Sequence, residues 1–405
     1  VKFLINKSVL GTENNFIISD DEFIVQNHNK DNIWTVDKNE ESIKSITLIS
    51  SLNLLKIPQI YTSAHQRQFE ILGVKNPNWV LSLGKQNFKN YISKIKKYVS
   101  NEFSEINSNA YYSTTFIEGR QTLFKLSEPN ICMETLARHK KAADVRNLKL
   151  LQSFADCKKT KYSQSSSVTG RLSVMSGPNI LHLKREHRDI LVSRYGNEGA
   201  IIQLDFKSLE PRILALLQKD NVPNDIYSDI VSFIGKNIDR DLVKKATLAT
   251  IYGMSRYNLA TMLNIKDTKE IIEKINEYFG ISLFQKSLII DLAKNKKIQN
   301  FYGRNIFVEQ GNEHLLVNYF TQSTGVDVSL VGFNQIIDNI KKQDLSIEPI
   351  FVLHDALILD VHKNSIKQLK NIIKDGIIIP GFNNNKFPLE LSLFYKRIKN
   401  DTTLT

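Results

Sequence analysis

IIQLDFKSLEPRILALL, residues 201–217, is the stretch on which the reading of this chain turns. Ile201 to Leu204 form a short apolar run of buried-strand length, and the run ends on Asp205. Ser208 is expected to cap a helix that carries Glu210 and Pro211 in its first turn. Ile213, Leu214, Leu216 and Leu217 then give that helix an apolar face. An acid at a strand end usually serves as a cap or a solvated charge. This one gains meaning from FVLHDALILDV, residues 351–361, where Asp355 interrupts a second strand-like run. Two strand-borne carboxylates that converge in space would bind a divalent metal through oxygen. In phosphoryl transfer a pair of such ions stabilises both the attacking and the leaving oxygen.

The chain has 405 residues, 41% hydrophobic and 24% charged, enough for two or three domains and a large core. Its formal net charge is +12, which favours a polyanionic partner, although a Lys-rich solvated surface gives the same number. With 41 Lys against 13 Arg, the positions where Arg occurs carry more information. Cys132 and Cys157 have no metal-ligand spacing and fit a reducing, intracellular, cytoplasmic setting. VKFLINKSVLG does not read as a signal peptide, and no apolar stretch is long enough to span a membrane.

Residues 1–105 read as a small α/β unit of unknown role. VKFLI, NFIIS and EFIVQ look like strands, and ESIKSITLISSLNLL and FKNYISKIKKYV look helical. Asp20, Asp21 and Glu22 fit a solvated turn. In 135–155, TLARHKKAADVRNLKLLQSFA is expected to be helical, with a basic stripe from Arg138 to Lys149 that suits a phosphate backbone or plain solvent. In 161–183, Gly170 allows close backbone approach, and Arg171 offers a planar donor fork to a phosphate or a base edge. On a helix over 240–255, Arg240, Lys244, Leu248 and Tyr252 share one face. The two cations suit a triphosphate and the flat groups a base, or else the stretch is a solvated cationic pair followed by core residues. Asn318 and Gln322, four apart on another helix, can read base edges or bond to each other. FYGRNIF reads as a turn and strand carrying Arg304. NSIKQLKNIIKDG reads as a helix and FPLELSLFYK as a final strand.

Taken in order, these motifs resemble family A DNA polymerases. TGRLS at 169–173, with Pro178 and Asn179, is similar to that family's TGRLS…PNLQNIP segment. LDFKSLEPRIL resembles its first palm motif. Arg240, Lys244, Tyr252 and Gly253 match its R-x3-K-x7-YG fingers pattern. NYFTQSTGVD is similar to its N-x3-Q-G-T-x-x-D helix, and HDA at 354–356 stands where it has HDE. The resemblance covers roughly residues 106–405. It implies an α+β right-hand fold: thumb about 106–160, palm about 161–220 and 311–405, fingers about 221–310. It implies dNTP addition to a primer 3′-hydroxyl on template DNA, with Asp205 and Asp355 holding two Mg²⁺ ions, Mn²⁺ being possible. Arg240 and Lys244 would bind the triphosphate, Glu210 would act as a sugar gate, and Tyr252 would pack near the templating base or the incoming sugar. His354 would adjoin the primer terminus. Arg171, Gln322 and Asn318 would contact the minor groove, with Arg304 on the DNA side as well.

Ala356 departs from the family's usual Glu and removes a carboxylate near the metals. Leu248 stands where an aromatic is usual, and Lys207, Ser208 and Pro211 also depart from the pattern. No exonuclease pattern is recognisable in the first segment, so the expectation is a polymerase without proofreading. Replication proteins are possible partners of residues 1–105, and a phage or mobile element is a fitting source. Two other readings compete. A single-subunit RNA polymerase is opposed by Glu210. A polymerase-shaped, non-catalytic DNA-binding or replication-accessory protein is suggested by Ala356.

Overall fold

The computed structural model describes residues 109–395 apart from 165, 237 and 264–267. Before residue 109 it describes 3–7, 15–18, 23–26, 33–37, 42–46 and helical positions at 67, 68, 71, 86, 87, 89, 90, 93 and 94. The chain divides into two units, 1–117 with 163–175, and 118–162 with 176–405.

The first unit holds a five-stranded sheet. Its strands are β1 (Phe3–Ile5), β2 (Asn15–Ile18), β3 (Phe23–Gln26), β4 (Trp34–Val36) and β5 (Ser45–Ile46), in the order β3-β2-β1-β4-β5. β1 runs antiparallel to β2 and parallel to β4. Central β1 is buried throughout, as its unbroken apolar run Phe3–Leu4–Ile5 requires. The three expected strands are present. The stretch expected to be helical from Glu41 instead gives β5, and its later part lies outside the described residues, as do Asp20, Asp21 and Glu22.

Helix α1 (Ala110–Phe124) leads into the second unit, followed by α2 (Met133–Ala142) and α3 (Val145–Gln152). Residues 135–155, expected to be one helix, form two. Ala143 is extended, and Asp144 caps α3 by accepting from the Asn147 backbone N–H at 2.7 Å, so a local carboxylate competes with helix continuation. Short strands β6 (Lys161–Ser163) and β7 (Ser173–Ser176) flank the loop that carries Arg171.

The sheet that organises the second unit is antiparallel and four-stranded. Strand β8 (Gly199–Phe206) is followed by α4 (Leu209–Leu216), α5 (Ile226–Ile234), α6 (Arg240–Ile251), α7 (Arg256–Leu263), α8 (Thr268–Phe279) and α9 (Ile281–Asn295). After β9 (Ile298–Gln299) and β10 (Asn305–Ile306) comes the 27-residue α10 (Leu316–Lys342). Then come β11 (Ile347–Leu353), β12 (Ala356–His362), α11 (Ile366–Ile373), β13 (Ile377–Ile378), β14 (Lys386–Phe387) and β15 (Leu389–Leu393). The sheet order is β11-β12-β8-β15, so β8 is central and paired on both sides. Ile201, Ile202, Leu204 and Phe206 of β8 are buried.

Helix α10 packs on one face of this sheet. A Cβ added at Gly332 would lie 2.7 Å from the Phe206 ring, so only glycine permits that approach. The neighbouring Phe333 ring sits 5.4 Å from the ring of Phe206. Most of α10 is buried, including Thr321, Ser323, Thr324, Asp327 and Ser329. Two local expectations fail here. Ser208 occupies the cap position of α4 with φ +53° and makes no side-chain cap bond. Asp355 does not interrupt a single strand, because residues 351–361 fold back as the hairpin β11–β12 with His354 and Asp355 as its turn.

Candidate active site

The hairpin turn and the end of β8 meet. The Phe206 N–H donates to the Asp355 carbonyl at 3.3 Å, which ties the turn to the residue following Asp205. His354 opens that turn at φ +57°, a conformation that non-glycine residues adopt sparingly and that recurs at functional sites. Register sets the rest. Asp205 lies directly opposite Ala356 on β12 and Glu390 on β15, and cross-strand partners share a face. The position at 356 therefore brings a methyl group, while the other flank brings a carboxylate.

Asp205 Oδ1 is buried with no hydrogen-bond partner. Burial first, and then the charges of Asp355 and Glu390, push the Asp205 carboxyl up to about 7, against smaller opposing effects of Gln203 and Lys244. A buried carboxylate oxygen lacking a donor, among like charges, fits a bound cation. Among the described residues no three His, Cys, Asp or Glu side chains are grouped to hold a metal by themselves. That is compatible with Mg²⁺, which commonly takes one or two carboxylates and completes its shell with water and substrate phosphates.

A cavity of about 460 Å³ opens beside Asp205, and its walls include Lys207, Asp225, Tyr227, Arg240, Lys244, Lys374 and Glu390. Helix α6 starts at Asp239, whose carboxylate accepts from the Leu242 N–H at 3.0 Å. The helix buries Val243, Ala246, Thr247 and Ala249, which turns Arg240 and Lys244 outward. The Tyr227 ring lies below both cations, 5.4 Å from the Arg240 guanidinium carbon and 5.8 Å from Lys244 Nζ. Leu248 is half-buried farther along α6, and Tyr252 is exposed at its C-cap. Gly253 turns the chain at φ +73°, where a Cβ would lie 2.5 Å from the His314 carbonyl oxygen. Glu210 is half-buried in the first turn of α4, and His354 is exposed. None of Leu248, Tyr252, Glu210 and His354 lines the cavity.

Other expected residues fall elsewhere. Gln322 donates to Asn318 Oδ1 at 2.6 Å, so the two amides are paired with each other. Arg171 is exposed in the first unit, in a loop where the Ser167 hydroxyl donates to the Arg171 carbonyl at 2.9 Å. Arg304 requires a correction. It is 6% exposed, and its guanidinium pairs with fully buried Asp327 of α10, with Nη2 2.6 Å from Oδ1. Its charge serves the core and is not presented to DNA. Sequence reasoning misses Asp225, Tyr227, Lys374 and Glu390, which reach the cavity through helix packing and strand register.

A second cavity, of about 900 Å³, includes Arg138, Arg185, Arg188 and Gln203 in its walls. Gln203 lies two residues before Asp205 on β8 and opposite Ser392. Glu186 and Asp189 also line the cavity, with Arg138 Nη2 3.4 Å from Asp189 Oδ2, so a surface of mixed charge continues along the same sheet face as the carboxylates. Arg188 lies over Phe394, its guanidinium carbon 4.1 Å from the ring centroid.

The family model for DNA polymerase family A matches residues 119–395, more than half of the chain. The chain belongs to DNA polymerase family A. It is 24% identical over 249 residues to DNA polymerase I of Lactococcus lactis, in an alignment covering 53% of this chain and 28% of that protein. Against DNA polymerase I of Mycobacterium leprae the identity is 24% over 270 residues, covering 58% and 29%. Against DNA polymerase theta of Caenorhabditis elegans it is 27% over 213 residues, covering 47% and 13%. The chain thus spans less than a third of the length of these relatives. The solved polymerase domain of Pol1 from M. smegmatis, in complex with DNA primer-template and dNTP, superposes with a TM-score of 0.51 at 24% identity. That match covers 63% of this chain and 50% of the other. The fold is the α+β polymerase fold of this family, and among the described residues no helix is long and apolar enough to cross a membrane.

Proposed function

We propose that this family A polymerase domain extends a primer 3′-hydroxyl with dNTPs on a DNA template. The observation that carries the reading is the convergence of Asp205 and the Asp355 turn beside a cavity walled by Arg240 and Lys244. Asp205 and Asp355 would hold Mg²⁺ or Mn²⁺. When bound, two such ions would supply charge stabilisation to the attacking and leaving oxygens. Arg240 and Lys244 bind the triphosphate and offset negative charge that grows on the departing pyrophosphate. Glu210 excludes a ribose 2′-hydroxyl, and Tyr252 and Leu248 flank the nucleotide. His354 lies by the primer terminus. Arg171, Asn318 and Gln322 contact the minor groove, which requires the two amides to exchange their mutual bond for base edges. In this scheme the thumb comprises about 106–160, the palm about 161–220 and 311–405, and the fingers about 221–310. Residues 1–105 offer a docking site for replication proteins. The domain carries no proofreading activity.

Primer extension with Mg²⁺, comparing dNTPs with rNTPs, tests this reading beside Asp205→Ala and Asp355→Ala. Extension with dNTPs alone, abolished in both variants, is expected. Equal use of rNTPs would favour an RNA polymerase. Absence of extension despite primer–template binding would favour a non-catalytic polymerase-shaped protein, the reading that Ala356 supports. Primer shortening without dNTPs would refute the absence of proofreading.

A further inference from the structure

Arg240 already has an anionic partner inside the cavity. Its Nε donates to Asp225 Oδ2 and its Nη2 to Asp225 Oδ1, both at 2.9 Å, a bidentate pairing of fork to fork. Asp225 is itself fixed. As the cap of α5 it accepts from the Ser228 N–H at 3.3 Å and from the Ser228 hydroxyl at 2.8 Å. The remaining Arg240 nitrogen, Nη1, lies 3.8 Å from Asp241 Oδ1. Asp225 lines the same cavity as Arg240 and Lys244.

A carboxylate occupies a guanidinium edge in the geometry that a phosphate would take. It also places negative charge on the wall that a nucleotide's phosphates approach. We propose that Asp225 is a built-in competitor for Arg240, a fixed counter-charge that an incoming nucleotide must displace, so that the pair sets how much phosphate charge is needed for retention. The proposal rests on the nucleotide-polymerising reading above. The neighbouring guanidinium holds the Asp225 carboxyl well below the ordinary carboxylate range, so the acid stays charged throughout the neutral range. A triphosphate can gain from Lys244 and Arg240 together and so displace Asp225. A diphosphate has less charge to offer both.

Asp225→Asn removes the charge and keeps a good helix cap. Binding of a dNTP and a dNDP is titrated on the protein–primer–template complex with a chain-terminated primer, and inorganic tripolyphosphate is titrated on the protein alone. An exposed ion pair of this kind translates into a dissociation constant lowered about two- to fivefold in Asp225→Asn. The gain is expected for all three ligands, with the preference of dNTP over dNDP narrowed, and is abolished in Asp225→Asn/Arg240→Ala. Asp225→Ser, also a capping residue, should reproduce it if Asp225→Asn folds poorly. Weaker binding in Asp225→Asn would show that the acid orients Arg240, and unchanged binding would make it a spectator; either result overturns the proposal. If the unmutated protein extends primers while these variants bind no more tightly, only this proposal falls. If the unmutated protein neither binds dNTP nor extends, the enzyme reading falls and takes this with it.

Discussion

Asp205 is a carboxylate that the fold does not stabilise. Its pKa is raised from 3.8 to about 7, first by burial and then by Asp355 and Glu390. The folded state therefore holds an extra proton between those values. The associated stability is complete below about 4 and is lost as pH rises through about 7. Asp205→Asn should consequently melt at a higher temperature than the unmutated protein at pH 8, with the difference shrinking toward pH 4. Mg²⁺ at pH 8 should raise the melting temperature of the unmutated protein and leave Asp205→Asn nearly unmoved. A variant that melts lower at pH 8 would show that the carboxylate is structural.

At the scale of elements, α10 is mostly core, with Asn318 and Gln322 only half-buried on it. Its Asp327 receives Arg304, and the Asn300 side chain donates to Asp327 Oδ2 at 2.7 Å. Removing one partner of a buried pair strands the other without compensation. Arg304→Ala should therefore lower unfolding free energy by about 3–5 kcal/mol in chemical denaturation. Primer–template affinity per folded molecule should stay unchanged. A loss of affinity without a loss of stability would return Arg304 to the DNA surface. Elements also differ in how legible they are in the sequence. The stripe of Arg240 and Lys244 on α6 follows from helical spacing alone, and the strand ending on Asp205 from a short apolar run. Glu390 and Asp225 cannot be read that way, because register and helix packing bring them to Asp205 and Arg240 from other elements. Ser208 misleads because its φ of +53° turns the chain without a cap bond. Arg304 misleads because a charged residue in a turn gives no local sign that its partner is buried in a distant helix.

For the whole molecule, the net charge of +12 favours a polyanionic partner, and Arg138, Arg185 and Arg188, offset in part by Glu186 and Asp189, line the cavity along the carboxylate face. Polyanion binding by such a surface releases counterions, so affinity falls steeply with salt. Arg138→Ala and Arg185→Ala should each weaken primer–template binding across sequences. Each should also reduce the slope of log affinity against log salt by about 1, because one fewer phosphate is neutralised. Fluorescence anisotropy at several ionic strengths measures both quantities. An unchanged slope in both variants would remove this cavity from the DNA path. Arg188, packed on Phe394, is less suited to the test because its loss would also disturb packing.

The central position of β8 also has a consequence for the order in which the protein comes into being. A ribosome delivers β8 long before either of its sheet partners, β12 and β15. Until β12 emerges, Ile201, Ile202 and Leu204 have no strand beside them. The nascent chain therefore carries an apolar, unpaired strand through the synthesis of α4 to α9 and the whole of α10, a period of exposure to chaperones and to aggregation. A chain halted anywhere between the completion of α6 and that of α10 has Arg240 and Lys244 but lacks Asp355, so under the proposed mechanism incomplete products would be chemically silent.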